Sequence, residues 1–140
     1  HGLALHTYYA KFEKEEWAAA ATYVAERVAP GELILFNATW VQLPFQYYFR
    51  HYEKPTAQHG LPVDLFDRGV LEPKMSTTDL PYMRDLLADQ ESVWLIYSHD
   101  WYTDAQGLIP RELQRQMNLV EQRTFRGLQV MYYRRLTTDD

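Results

Sequence analysis

The residue types that could carry chemistry follow one apolar segment in the second half of the chain. Residues 93–97 (VWLIY) are almost uninterruptedly apolar, which is typical of a strand covered on both faces. The segment ends abruptly in ionisable and aromatic side chains: Ser98, His99, Asp100, Trp101, Tyr102 and Asp104. Because ligands of open α/β sheets bind just outside the carboxyl ends of the strands, we expect any binding site of this chain there.

A second polar segment follows the first predicted strand in the same way. Residues 32–38 (ELILFNA) have the pattern of a buried strand, and Asn37 and Trp40 stand where it ends. The carboxyl ends of parallel strands meet at one edge of the sheet, so these two residues join the candidate site. The predicted ligand-binding set is Asn37, Trp40, Ser98, His99, Asp100, Trp101, Tyr102 and Asp104.

The sequence predicts no metal centre and no cofactor. His99 and Asp100 are residue types that bind metals, but neighbours in an extended segment point to opposite faces of the sheet. His51 and His59 are eight residues apart and match no ligand spacing. Residues 37–42 contain no glycine, so the usual phosphate-binding loop of a mononucleotide site is missing.

Two carboxylates offer a hydrolytic alternative. Asp100 and Asp104 could flank a glycosidic bond as the two acids of a glycoside hydrolase. Their plainer role is to cap turns, with His99 hydrogen-bonded at the end of the strand. The Gly-x-Ser-x-Gly sequence of a nucleophile elbow is absent from the chain. These patterns assign no catalytic residue.

The composition of the predicted site favours a polar ligand with an apolar face. Indole and phenol rings beside hydrogen-bonding groups suit a carbohydrate or a polar headgroup, and the chain has 11 Tyr and 4 Trp. Aromatic residues at strand ends also serve as lids on the core, which is their commoner role. Both interpretations stay open at the level of sequence.

Alternating helix and strand patterns position these residues. Apolar residues at three- and four-residue spacing predict helices at 13–28, 80–87 and 109–120, and a further helix is predicted at 45–52, with aromatic residues on more than one side. Apolar or alternating runs predict strands at 32–38, 61–66, 93–97 and 128–135, with residues 51–60 as a polar loop. This alternation predicts an α/β fold, a Rossmann-like three-layer sandwich with a mostly parallel sheet and helices on both faces. The last strand could be antiparallel at an edge.

We expect a single domain over residues 13–136, a connector at 1–12 and a frayed tail at 137–140. The 140 residues suffice for one core, and the formal net charge of −5 argues against nucleic acid as a partner. The absence of cysteine excludes disulfides and thiolate zinc sites. No apolar run approaches the roughly 20 residues of a membrane span. Because the first residue is His1 rather than Met, we expect a piece of a longer polypeptide.

The order of the segments resembles a known family. Residues 14–23 place a Glu-Trp pair ahead of an alanine-rich helix, residues 30–37 hold the first strand, and residues 93–107 hold the central strand with its polar end. This order resembles the C-terminal soluble part of large bacterial membrane glycosyltransferases related to the dolichyl-phosphate-mannose protein mannosyltransferases, glycosyltransferase family 39. The resemblance extends over most of the chain from Tyr8 onward.

The resemblance implies a role beside a catalytic centre rather than within it. In such enzymes the catalytic acids lie in an extracytoplasmic loop near the start of the membrane region, and no residue here matches that loop. The domain would then lie on the extracytoplasmic side, over the membrane-embedded part of the same polypeptide, with Tyr8 and Tyr9 at the headgroup level. It would help to position a lipid-linked sugar or an acceptor glycan, or stabilise the membrane part. The alternative is a free-standing α/β hydrolase or sugar-binding protein that uses the crevice around residues 99–104.

Overall fold

The structure, a computed structural model, describes residues 16–62, 74–98 and 100–136. Helices and strands alternate in these ranges up to residue 97, after which two helices and then two strands follow. The helices are α1 (Trp17–Ala25), α2 (Gln42–Phe49), α3 (Leu80–Leu87), α4 (Asp100–Thr103) and α5 (Leu108–Gln116). Short 3-10 turns lie at Thr39–Val41, Arg50–Tyr52 and Thr77–Asp79. The strands are β1 (Leu33–Asn37), β2 (Ala57–Gly60), β3 (Ser92–Tyr97), β4 (Met117–Phe125) and β5 (Leu128–Arg135).

The five strands form one open sheet in the order β2-β1-β3-β5-β4. β1 pairs in parallel with both β2 and β3, so that Leu35 lies between His59 and Leu95. β5 pairs antiparallel with β3 on one side and with β4 on the other. The fold is therefore mixed α/β, with a sheet that is parallel at one end and antiparallel at the other. β3 lies at its centre, as the sequence predicts.

The core consists of two apolar clusters that share the sheet. Even-numbered core residues of β1 and β3 pack with α1 and α2, whereas odd-numbered ones pack with α3 and α5. This division follows from the pleat, because successive side chains of a strand point to opposite faces. It also explains why β1 and β3 read as continuous apolar runs, since every position from Leu33 to Phe36 is buried.

Small side chains and a glycine shape the first helix and its end. Ala20, Ala21 and Ala25 are buried on the side of α1 that faces the core. Their short side chains let α1 pack closely against α2. The chain then turns at Gly31, whose φ of +81° lies in the left-handed region that glycine adopts without steric cost.

One predicted helix is too long, and the last strand is not at an edge. Helix α5 ends at Gln116, and residues 117–125 form β4 although Val120 continues the helical spacing. Pairing in the β4–β5 hairpin overrides that local pattern, with Gly127 at a φ of +87° in the turn. β5 is antiparallel, but the short turn holds β4 against it, so β4 occupies the edge and β5 lies inside.

One strand lies in a stretch that the sequence pattern predicts to be a loop. β2 (Ala57–Gly60) falls within the stretch 51–60 that the sequence pattern assigns to a loop. Its side chains are mostly exposed or half-buried because it pairs on one side only, at the edge of the sheet. Such a strand is held by backbone hydrogen bonds to β1 and leaves little apolar signal. Of the predicted strand 61–66, only Leu61 and Pro62 are among the described residues.

The predicted boundaries of the domain lie at the two ends of the chain, which the structure mostly does not describe. The connector at 1–12 and the tail at 137–140 lie outside the described residues, as do residues 13–15. None of the helices in the described ranges combines the length and apolarity needed to cross a membrane.

Candidate functional site

A cleft of about 310 Å³ opens at the carboxyl end of β3. Its walls come from the end of β3, the start of α4 and the turn between β4 and β5: Tyr97, Ser98, Asp100, Trp101, Thr124, Phe125, Gly127, Leu128 and Gln129. The hairpin reaches this position because β5 runs antiparallel to β3, with Gln129 opposite Tyr97. The cleft lies at the sheet edge for which the sequence predicts a binding site.

The structure divides the predicted site residues into two groups. Ser98, Asp100 and Trp101 line the cleft, whereas Asn37, Trp40, Tyr102 and Asp104 are not part of its walls. His99 lies outside the described residues.

An exposed indole dominates the rim of the cleft. Trp101 is 74% exposed, the largest exposure among the big apolar side chains of the described residues. The Tyr102 ring lies edge-on to it at 5.9 Å between centroids, and Lys74 Nζ lies 4.6 Å from the Tyr102 centroid. Half-buried Asp100 precedes Trp101 in the first turn of α4 and brings a carboxylate to the same rim. This part of the site combines a flat apolar face with charged groups.

Ser98 holds the cleft together rather than presenting a reactive hydroxyl. Its Oγ donates a hydrogen bond to the carbonyl of Gly127 at 2.5 Å, which ties the end of β3 to the β4–β5 turn. Its backbone N–H donates to the Asn37 carbonyl at 2.5 Å, and its carbonyl accepts from Ala38 N–H at 2.7 Å. Only 2% of Ser98 is exposed, so we infer that it fixes the shape of the cleft.

Asn37 cross-links three segments beneath this sheet edge. The residue is fully buried, and its Oδ1 accepts a hydrogen bond from Thr103 Oγ1 at 2.8 Å. Its Nδ2 donates to the Leu61 carbonyl at 3.0 Å, an acceptor shared with Thr39 Oγ1 at 3.0 Å. The side chain thus joins β1, the segment after β2 and α4. Its polarity satisfies buried backbone and hydroxyl groups, which would be costly if left unpaired.

Trp40 belongs to the core. It is 5% exposed, and its ring packs edge-on against Trp17 at 6.2 Å between centroids. This is the lid role that the sequence also allowed for the aromatic residues. The two tryptophans that follow strand ends therefore differ, since Trp40 is buried with α1 whereas Trp101 is exposed.

Asp104 caps a helix from a buried position. It is 2% exposed, and its carboxylate accepts hydrogen bonds from the N–H groups of Leu108 at 2.8 Å and Ile109 at 3.0 Å. The Tyr97 hydroxyl donates to the same carboxylate at 2.7 Å. Burial, and then this hydrogen bond, raise the pKa of Tyr97 above its ordinary value. Asp104 is occupied with the start of α5, so the Asp100 and Asp104 side chains do not form a pair in the cleft.

The described residues of the cleft include few ionisable groups. Asp100 is the one carboxylate among its described lining residues, and no group of three or more His, Asp or Glu side chains in the described ranges is placed to hold a metal ion. Comparison of the chain with protein-family models, with curated proteins and with solved structures gave no match.

The β4–β5 turn is the part of the site that sequence reasoning missed. Thr124, Phe125 and Gln129 line the cleft, but nothing in their spacing points to a site. They reach the end of β3 only because β5 inserts between β3 and β4. The one available signal was the Arg126–Gly127 turn itself, which fixes the hairpin but not its neighbour.

A second polar cluster, at the opposite end of the sheet, surrounds Glu32. This carboxylate is 9% exposed and accepts hydrogen bonds at both oxygens. Oε1 accepts from Ala29 N–H at 2.6 Å and Trp94 Nε1 at 3.0 Å, while Oε2 accepts from Tyr132 Oη at 2.7 Å and from Ser92 Oγ. Burial alone would raise the pKa of Glu32, but these donors outweigh it and lower the pKa below its ordinary value of 4.5.

This cluster makes the stability of the domain sensitive to acid. Because the pKa of Glu32 is lower in the folded than in the unfolded chain, its contribution is fully present above the ordinary value of 4.5 and is lost as the pH falls through the folded value. We expect Glu32→Gln to be less stable than the wild type at pH 7, and the difference to shrink toward pH 2. Urea unfolding across that range measures it.

Removing one of the hydrogen-bond donors to Glu32 gives a variant expected to lie between the wild type and Glu32→Gln in its sensitivity to acid. Tyr132→Phe leaves Glu32 with its three other donors, so the pKa should rise part of the way and the acid-induced loss should begin at a higher pH. A wild-type and a Glu32→Gln protein that lose stability in parallel as the pH falls would contradict the assignment.

Proposed function

We propose that this chain is a non-catalytic domain of a membrane glycosyltransferase that transfers a sugar from a lipid-phosphate donor. In this proposal the cleft at the end of β3 binds a sugar of the donor or of the acceptor and positions it for the membrane-embedded part of the same polypeptide. The domain would lie on the extracytoplasmic side and would be a Rossmann-like three-layer sandwich. The observation that carries the sugar-binding part is the 74% exposure of Trp101 at the rim of the cleft.

The shape and chemistry of the cleft support a carbohydrate as the ligand. A pyranose ring has an apolar C–H face that can lie on an indole, and hydroxyl groups at its edge that can bond to polar side chains. Trp101 supplies the flat ring, while Asp100, Thr124 and Gln129 supply carboxylate, hydroxyl and amide groups around it. The volume of about 310 Å³ lies at the small end of ligand pockets, which suits a single sugar unit.

The distribution of acidic groups supports a binding role over hydrolysis. Glycoside hydrolysis needs two carboxyl groups on either side of the scissile bond. Of the two candidates from the sequence, Asp104 is buried and bonded to the start of α5, which leaves Asp100 alone among the described residues of the cleft. The attachment to a membrane glycosyltransferase rests on the resemblance of residues 14–23, 30–37 and 93–107 described above.

Replacing Trp101 by Ala tests the sugar-binding part. NMR titration of the isolated chain with a panel of methyl hexopyranosides, methyl mannoside first, should shift the Trp101 indole N–H signal. We expect Trp101→Ala to weaken binding by about tenfold or more, equivalent to about 1.4 kcal/mol. Its melting temperature should stay close to that of the wild type, because an exposed ring contributes little to the core.

Two variants serve as controls for this titration. Trp101→Tyr keeps an aromatic face and should retain most of the binding. Tyr47→Ala removes another exposed aromatic ring, 56% exposed on α2, and should leave binding unchanged. A wild-type chain whose Trp101 signal responds to none of the sugars, or a Trp101→Ala protein that binds as well as the wild type, would count against a sugar site.

The coding sequence upstream of His1 tests the membrane part. Several apolar segments of roughly 20 residues, with an acidic loop after the first, would support a domain of a membrane glycosyltransferase. A start codon immediately upstream would contradict it and favour the free-standing α/β enzyme or sugar-binding protein. In that case, hydrolysis of a glycosyl ester or phosphate by the isolated chain, lost in Asp100→Asn, would separate the enzyme from the binding protein.

A further inference from the structure

Among the described residues, the outer edge of β4 is long and unpaired. β4 (Met117–Phe125) is the last strand of the sheet, and its seven middle residues are exposed between two buried ends. In the described ranges, its backbone hydrogen bonds run to β5, apart from that of Met117 N–H, which donates to the Leu113 carbonyl of α5. An open row of backbone donors and acceptors is a template for another strand, which natural proteins either cover or protect.

The register of the β4–β5 hairpin shows which backbone groups face outward. A turn of two residues connects Phe125 to Leu128, so that pair must exchange hydrogen bonds. Hydrogen-bonded and non-hydrogen-bonded pairs then alternate along the ladder. Thr124 and Gln122 are non-bonded positions toward β5, and their N–H and C=O groups therefore point to the open edge. Gln122 lies near the middle of the exposed stretch.

The two residues beside Gln122, Glu121 and Arg123, carry opposite charges, so this segment of β4 is complementary in charge to an antiparallel copy of itself. Glu121 and Arg123 precede and follow Gln122 in β4, and their side chains share one face of the sheet. Glu121 accepts a hydrogen bond from Tyr23 Oη at 2.9 Å and lies 3.8 Å from Arg27 Nε, at the exposed surface. The Arg123 guanidinium lies 5.5 Å from the ring centroids of Tyr23 and Phe125, and within the described ranges it has no carboxylate partner. The Arg123 guanidinium is thus positioned by two rings and can form an ion pair with a carboxylate of another chain.

We propose that two copies of this chain associate through antiparallel pairing of their β4 strands about a twofold axis at Gln122. In this register Gln122 exchanges backbone hydrogen bonds with its counterpart, and Glu121 of each copy lies opposite Arg123 of the other, twice. Opposed side chains in such pairs have Cβ atoms about 4.5–5.5 Å apart, which lets the ions meet. The two five-stranded sheets become one continuous sheet.

Neighbouring registers lack this match. A twofold axis at Glu121 or at Arg123 would place like charges opposite each other, which is destabilising. The β-bulge between Leu119 and Glu121 disrupts regular pairing on that side of the strand. Thr124 of one copy lies opposite Val120 of the other in this register, so the bulge limits regular pairing to residues 121–123 of each strand. The partner favoured by the charges is a second copy rather than an arbitrary strand.

The experiment is sedimentation velocity of the full 140-residue chain over a concentration series. We expect a monomer–dimer equilibrium for the wild type. Arg123→Glu and Glu121→Arg should each be monomeric, because each puts like charges opposite one another at both sites. An equimolar mixture of these two variants should form heterodimers, since every pair across the interface is then opposite in charge. Arg111→Glu, the same charge change on exposed α5, should dimerise like the wild type.

A proline at the axis tests the backbone contact separately. The Gln122 N–H points away from β5, so Gln122→Pro removes the outward donor without removing a bond of the hairpin. We expect this variant to be folded by circular dichroism and monomeric. A wild type that is monomeric throughout the series, species larger than a dimer, dimers of either single-charge variant alone, or no association in their mixture would each overturn the proposal.

Discussion

Replacing Leu95 by Asp is expected to unfold the domain. Leu95 is fully buried in β3, the central strand, between Leu35 of β1 and Met131 of β5. An unpaired carboxylate there would cost several kcal/mol for its desolvation, in addition to the lost packing of the leucine. Domains of this size have a total stability of about 5–15 kcal/mol, so the loss is comparable with the whole. Circular dichroism and urea unfolding at pH 7 would measure it.

The same substitution at an exposed strand position provides the control. Leu119 lies on β4 and is 41% exposed, so Leu119→Asp should change the free energy of unfolding by less than about 1 kcal/mol. A Leu95→Asp protein with the melting temperature of the wild type would show that β3 is not the centre of the core.

The second large effect is expected for Asp104→Ala. This substitution removes the acceptor of three buried hydrogen bonds, from Tyr97 Oη and the N–H groups of Leu108 and Ile109. Each buried donor left without a partner costs about 1–3 kcal/mol, so we expect a loss of about 3 kcal/mol or more in the free energy of unfolding. The start of α5 should also become less protected from hydrogen exchange, since its first N–H groups lose their cap.

Two milder variants separate the hydrogen bond that Asp104 accepts from Tyr97 from those that it accepts from the start of α5. Tyr97→Phe removes one of the three donors, and its ring stays in the core, so the loss should be clearly smaller. Asp104→Asn keeps one oxygen acceptor and should fall between Tyr97→Phe and Asp104→Ala. An Asp104→Ala protein as stable as the wild type would contradict the capping role and reopen Asp104 as a functional acid.

Tyr97 connects this contact to the cleft. Tyr97 is one of the residues that line the cleft, and its hydroxyl donates a hydrogen bond to Asp104. A change at Asp104 should therefore reach any ligand of the cleft through the position of Tyr97, although Asp104 is not part of the cleft wall. Asp104 would then be a positioning residue for binding. Its effect on affinity should be reproduced in part by Tyr97→Phe.

The amino-acid sequence by itself determined the buried parallel strands and the edge where a site could form. β1 and β3 are apolar on both faces, and this pattern reflects burial on both sides whatever their neighbours are. The same holds for the amphipathic patterns of α1, α3 and the first part of α5. Because parallel strands end at a common edge, the polar residues after β1 and β3 had to lie near each other. The cleft at the end of β3 was predictable for this reason.

Only the tertiary structure decided which strand lies at each edge and what each polar residue does. β2 and β4 are held at the edges by backbone pairing, which residue patterns hardly record, so β2 was assigned to a loop and the first part of β4 to a helix. Asn37, Asp104 and Trp101 look equally suited to a ligand in the sequence. In the fold, Asn37 and Asp104 are buried and bonded within the protein, while Trp101 is exposed. A residue type specifies which bonds a side chain can form, whereas only the packing of distant segments supplies its partners.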